Sequence, residues 1–120
     1  MKEYKRKLPI LNVKWSILLY ENPSELEVRF PNVEFIPSGV NFQGGTFTID
    51  DTFYLALLMD DKMNNGVIAH ECNHLVNIIF NHIGYKTEPS NDEIHCYFLT
   101  YFVDKVDLVI QDGKWLKTSK

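Results

Sequence analysis

Two cysteines, Cys72 and Cys96, are all that the 120 residues contain. That is too few for a disulfide framework, and reduced thiols fit a cytoplasmic setting. Basic residues are scarce as well. Twelve Lys and Arg stand against sixteen Asp and Glu, giving a net charge of −4 and a pI near 5.5. Phosphate binding needs a concentrated basic face, so no nucleic-acid partner is expected. The one basic run, Lys2, Lys5, Arg6 and Lys7, reads as a solvated terminal arm. Long hydrophobic runs are missing too. The apolar stretch from Leu8 to Tyr20 is broken by Asn12 and Lys14, and no small-residue cleavage site follows it. Neither a membrane span nor a secretory signal is therefore expected. Repeats and low-complexity tracts are absent. What is left is 45% hydrophobic and 23% charged, the balance of one globular domain over residues 1–120 with a modest core.

The first half reads mainly as strands. Val13 to Tyr20 is a mixed apolar run ending at the Asn22-Pro23 breaker, and residues 23–27 suit a short helix with proline in its first turn. Pro31, Pro37, Ser38 and Gly39 mark a loop-rich connection. Gly44-Gly45 opens a second β region. There Thr46 to Ile49 alternates, Asp50-Asp51 suits a turn, and Phe53 to Met59 reads as a strand buried on both faces, making a hairpin of residues 46–59. That hairpin either supplies a free strand edge beside the following helix or is closed within the sheet.

From Val67 the period changes to that of a helix, about 65–83. Its stripe of Val67, His70, His74, Ile78 and Asn81 is flanked by Ile68, Leu75, Ile79 and Phe80, which predicts a helix buried on most sides. Asn64 or Asn65 suits its start and Gly84 a left-handed end. Ser90 or Asn91 then caps a second helix, about 91–110, with Asp92 and Glu93 in the first turn where the helix dipole favours acids. Gly113 stops it, and Trp115 is expected to fold back onto the core. The resulting fold class is α+β, a small N-terminal antiparallel or mixed sheet packed on two long helices.

The chemistry lies in VIAHECNHLVN, residues 67–77. Four residues along a helix subtend about 400°, so His70 and His74 sit one turn apart and about 40° out of line. Two imidazoles so placed can reach one zinc ion. Glu71, rotated about 100° from His70, stands beside the ion rather than on it, where a carboxylate can take a proton from water. The competing reading is a pair of core histidines hydrogen-bonded to backbone carbonyls with no metal. It leaves Glu71 as a carboxylate in an otherwise apolar helix, which is costly unless it is paired. For a third ligand the metzincin pattern is excluded, because Asn77 and Phe80 stand where it needs Gly and His. Eighteen residues separate His74 from Glu93, and Asp92 competes with Glu93 as the carboxylate. His82 suits a cation at a helix C-terminus better than a ligand, and the two cysteines suit small buried hydrophobes.

VIAHECNHLVNIIFNHIGY followed by NDEIHCYFLTYF resembles the gluzincin arrangement, in which a glutamate on a second helix completes a His-Glu-x-x-His zinc site. More narrowly it is similar to the small zincin-like proteins of bacteriophages and integrated mobile elements, over about residues 55–104. The resemblance implies a minimal zincin-like domain with zinc held by His70, His74 and Glu93, and Glu71 as general base. It further implies a zinc-dependent hydrolase, a minimal metallopeptidase acting on a peptide or protein. Two departures stand out. Tyr97 occupies the position where larger gluzincins carry an acidic support for the histidines, and in 120 residues their second cleft wall is mostly missing. Tyr97, Tyr101 and His95 are candidate transition-state donors. The alternative is a non-catalytic zinc-binding or protein-interaction module of phage or mobile-element origin. Nothing in the pattern specifies an oligomeric state.

Overall fold

The computed structural model describes residues 1–33 and 43–113. Chain order is β1 (Lys2–Lys7), β2 (Lys14–Tyr20), α1 (Ser24–Arg29), β3 (Gly44–Ile49), β4 (Thr52–Leu58), α2 (Asn65–Ile83) and α3 (Asp92–Asp112). The strands form one mixed sheet in the order β1-β2-β4-β3, with β2 and β4 parallel and the other two pairings antiparallel. The expected α+β class is present, with two long helices following the sheet. The expected loop about Pro37 to Gly39 and the expected return of Trp115 fall outside the described residues.

The basic run at the N-terminus is not a free arm. It is strand β1, paired along its whole length with β2 from Lys2 opposite Leu19 to Lys7 opposite Lys14. A charged run can sit there because β1 is the sheet's edge: Lys2, Lys5, Arg6 and Lys7 stay exposed while Tyr4 packs on the core. Leu11 and Asn12 close this first hairpin with positive φ. Asp50 and Asp51 do the same for the hairpin of β3 and β4, with φ of 50° and 65°. Two left-handed residues in succession match the right-handed twist of the strands they join, and aspartate tolerates that region better than most residues.

The two central strands carry apolar residues on both faces. Trp15, Ile17, Leu19, Phe53, Leu55 and Leu57 meet α2 and α3 in the main core. There Phe102 of α3 lies edge-on to Trp15 at 4.8 Å between centroids. Leu18, Tyr20, Tyr54 and Ala56 point to the other face, where Leu26 of α1 and Phe30 at its C-terminal cap cover them. β4 is thus an interior strand, and among the described residues β3 is the outer strand of the sheet. No described helix is long and apolar enough to cross a membrane.

Candidate metal centre

Helix α2 starts where the Asn64 side chain accepts a hydrogen bond from the Val67 amide at 3.0 Å. It ends at Gly84, whose φ of 78° is the left-handed turn that glycine permits. Ile68, Cys72, Leu75, Val76, Ile79 and Phe80 follow the helical period and bury one broad face against the sheet and α3. That leaves the histidine stripe pointing outward. The expectation of a helix buried on most sides is therefore corrected: His70 and His74 are exposed, and Glu71 is the buried polar residue. The His70 side chain keeps 67% of its surface in water, against 10% for Glu71.

The imidazoles converge. Nε2 of His70 lies 3.1 Å from Nε2 of His74, with the rings nearly perpendicular at 85° and their centroids 4.6 Å apart. Two nitrogens bound to one tetrahedral zinc at about 2.0–2.1 Å would stand about 3.3 Å from each other, so the pair has the spacing of two ligands of a single ion. An Oε2 of Glu71 sits 3.9 Å from the same His70 nitrogen. Burial pushes the Glu71 carboxyl above its ordinary pKa, and the neighbouring imidazoles pull it the other way. Burial, followed by the charge of Glu71, also raises the Cys72 thiol to about 12, so Cys72 is an inert core residue.

The wall facing Glu71 is strand β3. A Cβ on Gly44 would meet the Ala56 carbonyl oxygen at 2.9 Å and Cγ of Glu71 at 3.0 Å. Only a residue without a side chain lets the strand approach so closely. Gly44 of this strand and Gln43 just before it, with Asn64, Gly66, Val67, His70 and Glu71, line an open cleft of about 510 Å³. Gln43 is anchored by donating to the Leu58 carbonyl at 2.8 Å and to Asp60 at 3.0 Å. Neither Gln43 nor Gly44 was picked out by motif. The Gly44-Gly45 pair at a strand start was the available signal for close approach.

No protein family, curated protein or solved structure matches the chain.

The remaining candidates lie elsewhere. Asp92 and Glu93 are exposed in the first turn of α3, and among the described residues no three His, Cys, Asp or Glu side chains converge as a metal-holding group. Among the described residues the site is thus two converging imidazole nitrogens, the donor type that zinc takes, with no group of three donors completed by Glu93. The next turn of α3 meets α2 through His95, whose Nε2 is 3.3 Å from Oδ1 of Asn77. Asn77 lies three residues past His74, about 4.5 Å further along the helix. Tyr97 and Tyr101 line a separate apolar cavity with Leu8, Pro9, Ile10 and Phe98, which shares no residue with the histidine cleft. His82 packs its ring on Phe53 at 5.3 Å in the last turn of α2. Cys96 is exposed and unpaired in a disulfide.

Proposed function

We propose that the chain is a minimal zinc-dependent hydrolase of the metallopeptidase kind, acting on a peptide or protein. The observation that carries this reading is the His70–His74 pair, its two Nε2 atoms 3.1 Å apart, with His70 lining a cleft that the buried Glu71 also lines. His70 and His74 would hold the ion, and Glu93 would join them only after the first turn of α3 moves toward His74. A bound zinc ion supplies Lewis acidity, polarising a carbonyl and acidifying water.

The chain's own residues do the rest. Glu71 packs close to the backbone of β3, and its carboxylate lies beside His70, Oε2 3.9 Å from Nε2. Desolvation makes it a stronger base than a surface glutamate, suited to taking a proton from water and returning it to a leaving amine. Among the described residues β3 is the outer strand, and its edge could pair with the backbone of an extended substrate.

Zinc reconstitution followed by elemental analysis tests the reading. The expected result is near one equivalent per chain, lost in His70→Ala and in His74→Ala. Less than a tenth of an equivalent sinks the metal reading and leaves the histidines as a hydrogen-bonded pair. Glu71→Gln should keep the metal while losing at least a hundredfold of the cleavage of an unstructured protein substrate. Full metal occupancy with native-like cleavage in that variant refutes the assigned base. Glu93→Gln should weaken zinc binding at least tenfold, and an unchanged affinity removes Glu93 from the ligand set.

A further inference from the structure

The sheet face away from α2 changes character along its length. α1 is only six residues long and covers Leu18, Tyr20 and Ala56. Beyond them the same face turns polar. Lys5 stands opposite Ser16 and Ser16 opposite Tyr54, while Lys14 stands opposite Thr52. These residues line a cavity of about 330 Å³ that also takes in Arg6 and Arg29. Its floor is built rather than open: Ser16 and Tyr54 are 2% and 8% exposed.

Arg29 is fixed at the rim. Its Nε and one terminal nitrogen donate to the two oxygens of Glu3 at 3.0 and 3.4 Å, and its guanidinium lies 4.4 Å over the Phe30 ring. A guanidinium has five N–H groups; Glu3 takes two and Tyr54 also hydrogen-bonds to Arg29, so donors remain beyond these partners. Glu3 is the one acid in the lining, and among the described residues no carboxylate forms an ion pair with Lys5 or Lys14. Three cations of this face, Lys5, Lys14 and Arg29, against one engaged carboxylate make a local reversal of sign on a chain whose net charge is −4, while Arg6 borders the cavity with its guanidinium over Tyr4 on the other face. A concave site of one sign focuses the field and draws counter-ions.

We propose that this cavity binds a small tetrahedral oxyanion, a phosphate or phosphomonoester. Ammonium groups from two strands, a preset guanidinium from α1 and the hydroxyls of Ser16 and Thr52 come from several directions, which suits an anion with several acceptor oxygens. Nucleic acid would need an extended basic face, whereas this site admits one anionic group with a small organic body. The site is independent of the histidine cleft and stands whether or not that cleft binds metal.

An amide-resolved NMR titration of the whole chain with inorganic phosphate, at ionic strength held constant with chloride, tests it. Saturable shifts centred on Ser16, Thr52 and Tyr54 are expected. A parallel titration with phenyl phosphate assigns a monoester if it binds more tightly and inorganic phosphate if it binds more weakly. Lys5→Gln with Lys14→Gln, both exposed positions, should weaken binding at least tenfold without changing the rest of the spectrum. Shifts reproduced by chloride alone, shifts centred on His70 and His74, or an unchanged affinity in the double variant overturn the proposal. Lys5 would then serve only to keep the edge strand β1 soluble. If the double variant does not fold, the wild-type titration decides alone.

Discussion

Replacing Gly44 by alanine tests whether β3 holds Glu71 in place. The new methyl would lie 2.9 Å from the Ala56 carbonyl oxygen, 3.0 Å from Cγ of Glu71 and 3.2 Å from Cδ2 of Leu57. The leucine tip can rotate away. The carbonyl cannot, because it belongs to interior strand β4, which is paired on both sides. Overpacking of this kind costs about 1–3 kcal/mol, and loss of glycine's freedom in the unfolded chain offsets about 0.4–1 kcal/mol. A net loss of about 1–2 kcal/mol is expected, read in urea as a lower midpoint with an unchanged slope. Part of the cost comes from Glu71, so the same change in a Glu71→Ala background, which lacks the Cγ, should cost at least about 0.5 kcal/mol less. An equal cost in both backgrounds would show that the strand does not position the glutamate. A neutral or stabilising Gly44→Ala would refute the close approach altogether.

Glu71→Gln should stabilise the metal-free protein at neutral pH. A carboxyl whose pKa is raised by folding binds its proton more tightly when folded, so its favourable contribution is full below about 4.5 and fades as pH rises through the raised value. The advantage of the glutamine variant should therefore grow from pH 4 to pH 7. Urea midpoints across that range check it, and an advantage that shrinks with rising pH contradicts the burial argument. Asn64→Ala removes the α2 cap and should cost about 0.5–2 kcal/mol in the same assay. Phe102→Ala, which empties a fully buried site edge-on to Trp15, should cost about 3–5 kcal/mol, and a loss under about 1 kcal/mol would refute the packing of α3 on the sheet.

Local features were the legible ones. Asn64, Gly84, the two aspartates at 50 and 51, and the acids at 92 and 93 each act within one turn of chain, and each sits where its chemistry indicates. Sheet order was not legible, because pairing β2 with β4 in parallel depends on which distant strands meet rather than on any residue between them. The basic run misled because a solvated arm and an exposed edge strand share one composition, and only the pairing of Tyr4 with Ile17 separates them. In α2, apolar residues around much of the cylinder concealed which face the fold would cover. The sheet and α3 both pack on the Ile68–Leu75–Ile79 side, so the histidines face outward and Glu71 goes under β3. The Glu93 position depends on how the eight residues from Gly84 to Asn91 turn the chain, and spacing along a sequence does not encode that direction.

The parallel joining of β2 to β4 has a consequence for how the chain folds. Thirty-one residues lie between Tyr20 and Thr52, so the centre of the sheet is made from segments distant in sequence. The two hairpins, and the helix pair joined by a short connection, can form from neighbouring residues, whereas the central pairing must first close that long loop. During synthesis, β2 has to wait with Ile17, Leu18 and Leu19 exposed until β4 has left the ribosome. Lengthening the connection should slow folding while barely changing stability, since each doubling of a flexible loop adds only about 0.6 kcal/mol.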